Sequence, residues 1–207
     1  MLPSEYPQLT SYPTLKHVLG KQLDMMFVDI RCMLKAPFPE CATGFNLSIA
    51  SILLNIIAGF SRRLYRPSGS PNDSDRFKSM LIDYFPWVDP DLQPVKGANL
   101  LYYSLRNPLT HELGIKGKEK VVVSKNGKST DKEIYELENN EHKPLWCSYP
   151  VAYVNLYNEN FEWNVSVPGL YWATHRLLHN LLNDQSHISE ADKRMKQIIK
   201  KINKNRN

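Results

Sequence analysis

Apolar residues recur at helical spacing through most of this chain. From Thr14 to Lys35, the residues Leu15, Leu19, Leu23, Met26, Ile30 and Met33 fall at steps of three or four residues, which predicts a helix with one buried stripe. Pro37 and Pro39 end it. A second helix is predicted over about Thr43 to Tyr65, with Ile49, Ile52, Leu53, Ile56, Ile57, Phe60 and Leu64 at helical spacing. Ala50, Leu54 and Ala58 make it apolar nearly all round, as expected of the most buried helix of a bundle. A loop follows from Arg66 to Asp73. Ser74 or Asp73 caps a third, short helix bearing Phe77, Met80, Leu81 and Tyr84, which stops at Pro86. The segment from Pro86 to Gly97 reads as irregular, and a fourth helix begins near Ala98 with Leu101, Leu105 and Leu109 on one face.

After Gly114 the period changes. Val121-Val122-Val123 and Ile134-Tyr135-Glu136-Leu137 flank Asn126-Gly127, a common hairpin turn pair, and predict a small β-hairpin insertion around 119-157. Val151 to Tyr157 reads as a third strand. Ser166 then caps a last core helix with Pro168 in its first turn and Leu170, Ala173, Leu177, Leu178, Leu181 and Leu182 on its apolar face. A tail helix over about Ser189 to Asn203 carries Met195, Ile198, Ile199 and Ile202 against lysines. The fold class expected is therefore mainly α: an antiparallel bundle of four to five core helices with a small strand insertion and a basic C-terminal helix. The domain plan is one domain over 1–207: an extended arm over 1–13, a helical core over 14–114 and 166–184, an insertion over 115–165 and a basic tail over 186–207.

Composition adds limits. At 207 residues, with 42% hydrophobic and 23% charged residues, the chain suits one ordinary globular domain. The longest apolar run, Leu47 to Phe60, falls short of the roughly 20 residues a membrane helix needs. The N-terminus lacks the basic and apolar regions of a signal peptide. Cys32, Cys41 and Cys147 show no C-x-x-C spacing, which suits free thiols in a reducing cytoplasm. A cytoplasmic location, no membrane association and no cofactor or metal are the expectations. The net charge of +5 lies wholly in the tail, where seven basic residues from Ser186 onward face only Glu190 and Asp192. Such a tail suits a polyanion such as RNA, or else a solvated terminal helix.

One segment concentrates chemistry: Leu105-Arg106-Asn107-Pro108-Leu109-Thr110-His111-Glu112-Leu113-Gly114. Pro108 has no N–H and disfavours helical geometry at Asn107, while Asn is a good N-cap and Pro a good first helical residue. A helix start or sharp kink at Asn107 is the expectation. Arg106 before the cap and His111 one turn inside would then pack together beside free amide donors and the positive end of a helix. An arginine can hold a phosphate bidentately and neutralise charge building on it, and a histidine can move a proton near neutral pH.

At these residues the sequence resembles the HEPN superfamily (higher eukaryotes and prokaryotes nucleotide-binding domains), whose motif is R-x(4–6)-H with a polar residue after the Arg. The flanks Tyr102-Tyr103-Ser104-Leu105 and Glu112-Leu113-Gly114 are also similar to that family, as is the helical bundle. The resemblance implies a metal-independent RNA endonuclease of a toxin–antitoxin, abortive-infection or other defence system, working as a homodimer with two motifs facing one cleft. Arg106 and His111 would carry cleavage and Asn107 would orient them, with in-line attack by the RNA 2′-hydroxyl leaving a cyclic phosphate. A cognate antitoxin or nucleotidyltransferase is the kind of partner implied. The first tyrosine after His111 is Tyr135, so nucleotidyltransferase modification of a Tyr beside the motif is not expected. The alternative is a non-catalytic module that binds a nucleotide, RNA or a protein partner, or a structural dimer in which the motif only caps a helix.

Other residues have two readings each. Arg62, Arg63 and Arg66 suit a helix C-terminus or a phosphate; Arg62, Arg63, Lys193 and Arg194 are the candidate RNA contacts. His175 and His179 share metal-binding spacing, but no third ligand is suggested, and they read as surface histidines, with supporting or RNA-facing roles as the lesser alternative. Trp146, Trp163 and Trp172, with Tyr149, Tyr153, Tyr157 and Tyr171, suit core or dimer packing more than base stacking.

Overall fold

Burial of the periodic apolar faces sets the architecture of the computed structural model, which describes residues 6–35, 46–65, 72–87, 93–111, 120–124, 154–157 and 162–204. The chain is mainly helical, as its periodicity predicts. A 3-10 turn, Pro7–Ser11, leads into α1 (Pro13–Lys35), followed by α2 (Asn46–Arg63), α3 (Asp73–Tyr84) and α4 (Pro94–Asn99). A π-helical segment, Leu100–Arg106, runs on into α5 (Asn107–His111). Three short strands, β1 (Lys120–Ser124), β2 (Val154–Tyr157) and β3 (Glu162–Ser166), precede α6 (Val167–Asn183) and α7 (Gln185–Lys204). Among the described residues no helix is long and apolar enough to cross a membrane.

The core gathers around α2, which packs against α1, α3, α6 and the π segment. Ile49, Leu53, Ile57 and Phe60 of α2, Phe77 and Leu81 of α3, and Leu170, Leu177 and Leu181 of α6 are buried in one cluster. On α1 the buried stripe is Leu15, Leu19, Leu23, Phe27, Ile30 and Leu34. This shifts the sequence-derived stripe by one residue in two places, and leaves Met26 41% exposed. The large Phe27 ring wins the inward position because it meets Tyr171 edge-on at 5.8 Å and stacks on His175 at 3.9 Å.

Several helix ends differ from the sequence reading for local reasons. Asn72, not Asp73 or Ser74, caps α3: its extended backbone lets Oδ1 accept from the Asp75 N–H at 2.7 Å. Asp73 and Asp75 then sit in the first turn, where negative charge favours the helix. The fourth helix begins at Pro94 rather than near Ala98, with Pro in the favoured first turn. Gly97 is needed there because a Cβ would stand 2.4 Å from the Trp87 ring. The tail helix starts at Gln185. Only Asp184 separates it from α6, and its Oδ1 accepts from the Ser186 N–H at 3.0 Å and the Ser186 hydroxyl at 2.6 Å.

The arm is not simply extended. Tyr6 and Leu9 are buried, and Gln8 and Tyr12 hydrogen-bond to Asn183 and Gln185 at 2.6 Å each. The strands also pair differently from a simple hairpin. The sheet order is β1-β3-β2, with β1 parallel to β3 (Val122 opposite Asn164) and β2 antiparallel to it (Asn155 opposite Asn164). The sequence reading named no separate strand at Glu162–Ser166. The predicted turn Asn126-Gly127 and strand Ile134 to Leu137 lie outside the described residues.

Candidate functional site

α5 begins at Asn107, but as a direct continuation of the π segment and not as a fresh, separately capped helix. Asn107 has right-handed helical angles (φ −65°, ψ −50°), and its N–H donates to the Tyr102 carbonyl five residues back. The physical cause is Pro108, which cannot donate to the carbonyl four residues before it and would clash there in α register. Widening the preceding turn to π geometry relieves the clash and keeps the chain helical. Thr110 completes the turn, its hydroxyl donating to the Arg106 carbonyl at 2.7 Å. The free amides of a helix start, expected beside Arg106, are therefore not at Asn107.

The π segment instead places Arg106 against Tyr102, four residues earlier. The guanidinium carbon lies 5.5 Å from the Tyr102 ring centroid, a cation–π distance. The Arg106 Nε is buried and has no hydrogen-bond partner among the described residues. Both side chains line a cleft of about 240 Å³ whose other wall is the C-terminal end of α2. Arg62 and Arg63 line the same cleft, with Phe77 and Asp73 of α3. Two groups of residues that looked separate in sequence thus meet in one place.

The cleft is cationic. Among the described residues Asp73 is its one lining carboxylate, and it is shared: it pairs with Arg76 and lies 4.0 Å from the Arg62 Nε. Among the described residues neither Arg63 nor Arg106 pairs with a carboxylate. Such a cleft can hold an anion by charge and by guanidinium hydrogen bonds. Sequence reasoning missed Tyr102 and Phe77 as lining residues. Tyr102 was findable, because a position four residues before Arg106 lies next to it on a helix.

The remaining candidates divide. His111 closes α5, and its side chain lies outside the described residues. Arg194 is not in the cleft; its guanidinium donates to the carbonyls of Arg63 at 3.4 Å and Leu64 at 3.3 Å, covering the end of α2. Lys193 pairs with Glu190 at 2.9 Å on the exposed side of α7.

His175 is no surface histidine. It is buried at 4% exposure, stacked on Phe27, with Nδ1 2.9 Å from the Tyr6 hydroxyl. Burial, helped by Arg31, pushes its pKa down to about 3, so it is a neutral core residue. His179 is half-buried beside Asn183, and burial lowers its pKa as well. Tyr171 and Trp172 pack in the core, in line with the packing reading. Trp146, Tyr149 and Tyr153 lie outside the described residues, as do the side chains of Tyr157 and Trp163. No group of three or more His, Cys, Asp or Glu able to hold a metal occurs among the described residues.

Compared with protein-family models, with curated proteins and with solved structures, the chain matches none.

Proposed function

We propose that this chain is a HEPN-type RNA endonuclease that cleaves the phosphodiester without a metal, working as a homodimer in a toxin–antitoxin or defence setting. The single observation that supports the reading best is the gathering of Arg106, Arg62 and Arg63 around one cleft. In this reading Arg106 holds the phosphate, with the cleft's other arginines neutralising charge that develops on it. His111 moves the proton between the 2′-hydroxyl, the leaving oxygen and solvent. Asn107 orients the pair. The 2′-oxygen attacks phosphorus, the 5′-oxygen leaves with a proton, and a 2′,3′-cyclic phosphate remains.

The test is incubation of pure protein with a mixed, labelled RNA pool in EDTA, beside Arg106→Ala and His111→Ala. Cleavage by the wild type with cyclic-phosphate ends is expected. Each substitution should cost on the order of 10²–10⁴-fold, the range of a lost acid–base or charge-stabilising group. Intact RNA after long incubation with a folded wild type would sink the reading.

A second reading, a non-catalytic nucleotide- or RNA-binding module, has its own support in the same cleft. The three arginines can bind phosphate whether or not His111 takes part. His111→Ala separates the two: loss of turnover with affinity kept favours the nuclease, and RNA binding with no turnover in any variant favours the module.

A further inference from the structure

We infer that the Arg106 cleft is one end of a longer cationic track, which crosses the C-terminus of α2 and continues along α7, and that the track holds single-stranded RNA. The inference rests on the RNA reading above.

Arg63 is the junction. Its residue lines the cleft, and its carbonyl accepts from Arg194 of α7. Lys201 lies two turns beyond Arg194 on the same side of α7, roughly 10 Å further along the axis. Positive charge grows more available in that direction. Lys193 and Lys196 are held by Glu190 and Asp192, whereas Lys200, Lys201 and Lys204 are exposed and pair with no carboxylate among the described residues.

The first half of α7 docks on the body through Ile188, Ala191 and Met195, which are buried. Beyond Met195 its exposed apolar surface is small: Ile198 and Ile202, each 47% exposed. A membrane-bound helix needs a broad apolar face on a flat surface. Here an arginine-lined cleft is joined through Arg63 to Arg194 of α7, whose far half carries the exposed Lys200, Lys201 and Lys204, and a flexible polyanionic strand suits that spread of positive charge better than a bilayer does.

The test uses 2′-O-methyl RNA, which lacks the attacking hydroxyl and so reports binding alone. Affinity is measured against salt for oligonucleotides of roughly three and roughly 12 nucleotides, the longer within the usual span of single-strand sites. The longer strand should bind more tightly and with the steeper salt dependence. The combined variant Lys200→Gln, Lys201→Gln, Lys204→Gln should flatten its log–log salt slope by about 2, at ~0.7 for each phosphate that is no longer neutralised, and leave the short strand unaffected. Arginine at the same three positions should restore the slope, which excludes a folding defect.

No length dependence in the wild type, or a length advantage that survives the glutamine variant, overturns the track. So does tail-dependent binding to phosphatidylserine vesicles that exceeds binding to RNA. The two readings fail separately. Length-dependent binding of RNA that the protein never cleaves sinks the nuclease and keeps the track. Cleavage of the short unmodified RNA at full efficiency, with no tail dependence of the long one, sinks the track and keeps the nuclease.

Discussion

His175 gives the protein an acid sensitivity that can be worked out in advance. An unfolded imidazole takes its proton near pH 6.5, and the folded chain holds this ring neutral down to about 3. The dominant cause is burial: charging the ring would bury a cation among Phe27, Tyr171 and Trp172, with the Tyr6 hydroxyl as its one hydrogen-bond partner among the described residues. Arg31 adds a smaller repulsion. Because the folded pKa is depressed, the stabilisation is fully present above pH 6.5 and is lost as pH falls towards 3. By linkage the cost is about 2 kcal/mol at pH 5 and approaches ~5 kcal/mol at the bottom of the window, a large part of a typical domain's total stability.

The perturbation is His175→Asn. Its Oδ1 can still accept from Tyr6, while nothing at the position titrates. Lost ring packing should lower stability at pH 7 by about 1–3 kcal/mol. The decisive quantity is the slope. Urea unfolding at pH 7, 6 and 5 should show a wild-type decline that is about 2 kcal/mol greater than that of the variant. An identical decline in both proteins would refute the assignment, and the acid sensitivity would have to come from other groups. Tyr6→Phe should also destabilise, and in the double variant the two effects should be strongly non-additive.

Gly97→Ala should destabilise by about 1–3 kcal/mol in urea titration, because the new methyl meets the Trp87 ring at 2.4 Å; Trp87→Ala should remove most of that penalty. Asn72→Ala should cost roughly 1 kcal/mol by loss of the α3 cap, and Asn72→Ser should recover much of it. Ser186 and Tyr84 hold the Asp184 carboxyl at a pKa of about 2, so its contribution is present above pH 3.8 and is lost as pH falls through 2. Asp184→Asn should therefore flatten the stability curve below pH 4 only, well beneath the onset of the His175 window.

Much of the helical order was legible because it follows from local periodicity. The buried faces of α2, α3 and α6 are the stripes read from the sequence, including Ile49, Phe77 and Leu177. The errors came where a distant partner decides. On α1, Met26 and Phe27 both lie near the stripe, and only the contacts of Phe27 with Tyr171 and His175 choose between them. His175 looked polar beside Arg176 because the residue that covers it, Tyr6, is 169 positions away. The Asn-Pro pair misled for another reason. Its local chemistry favours an N-cap, and nothing in its spacing reveals that a π turn can absorb the proline instead.

The same competition decides what Arg62 and Arg63 are for. Two basic residues in the last turn of α2 suit the helix dipole, and sequence alone cannot separate that role from phosphate binding. The structure introduces a third basic group. Arg194 reaches back from α7 to the Arg63 and Leu64 carbonyls, which are the acceptors that a helix end leaves exposed. With those acceptors met from outside the helix, the guanidiniums of Arg62 and Arg63 need not fold back onto their own carbonyls. They line the cleft opposite Arg106, while Asp73, already shared with Arg76, offsets little of their charge. Arg194, one of the candidate RNA contacts, therefore helps create the cationic site by satisfying the end of the helix that carries its arginines.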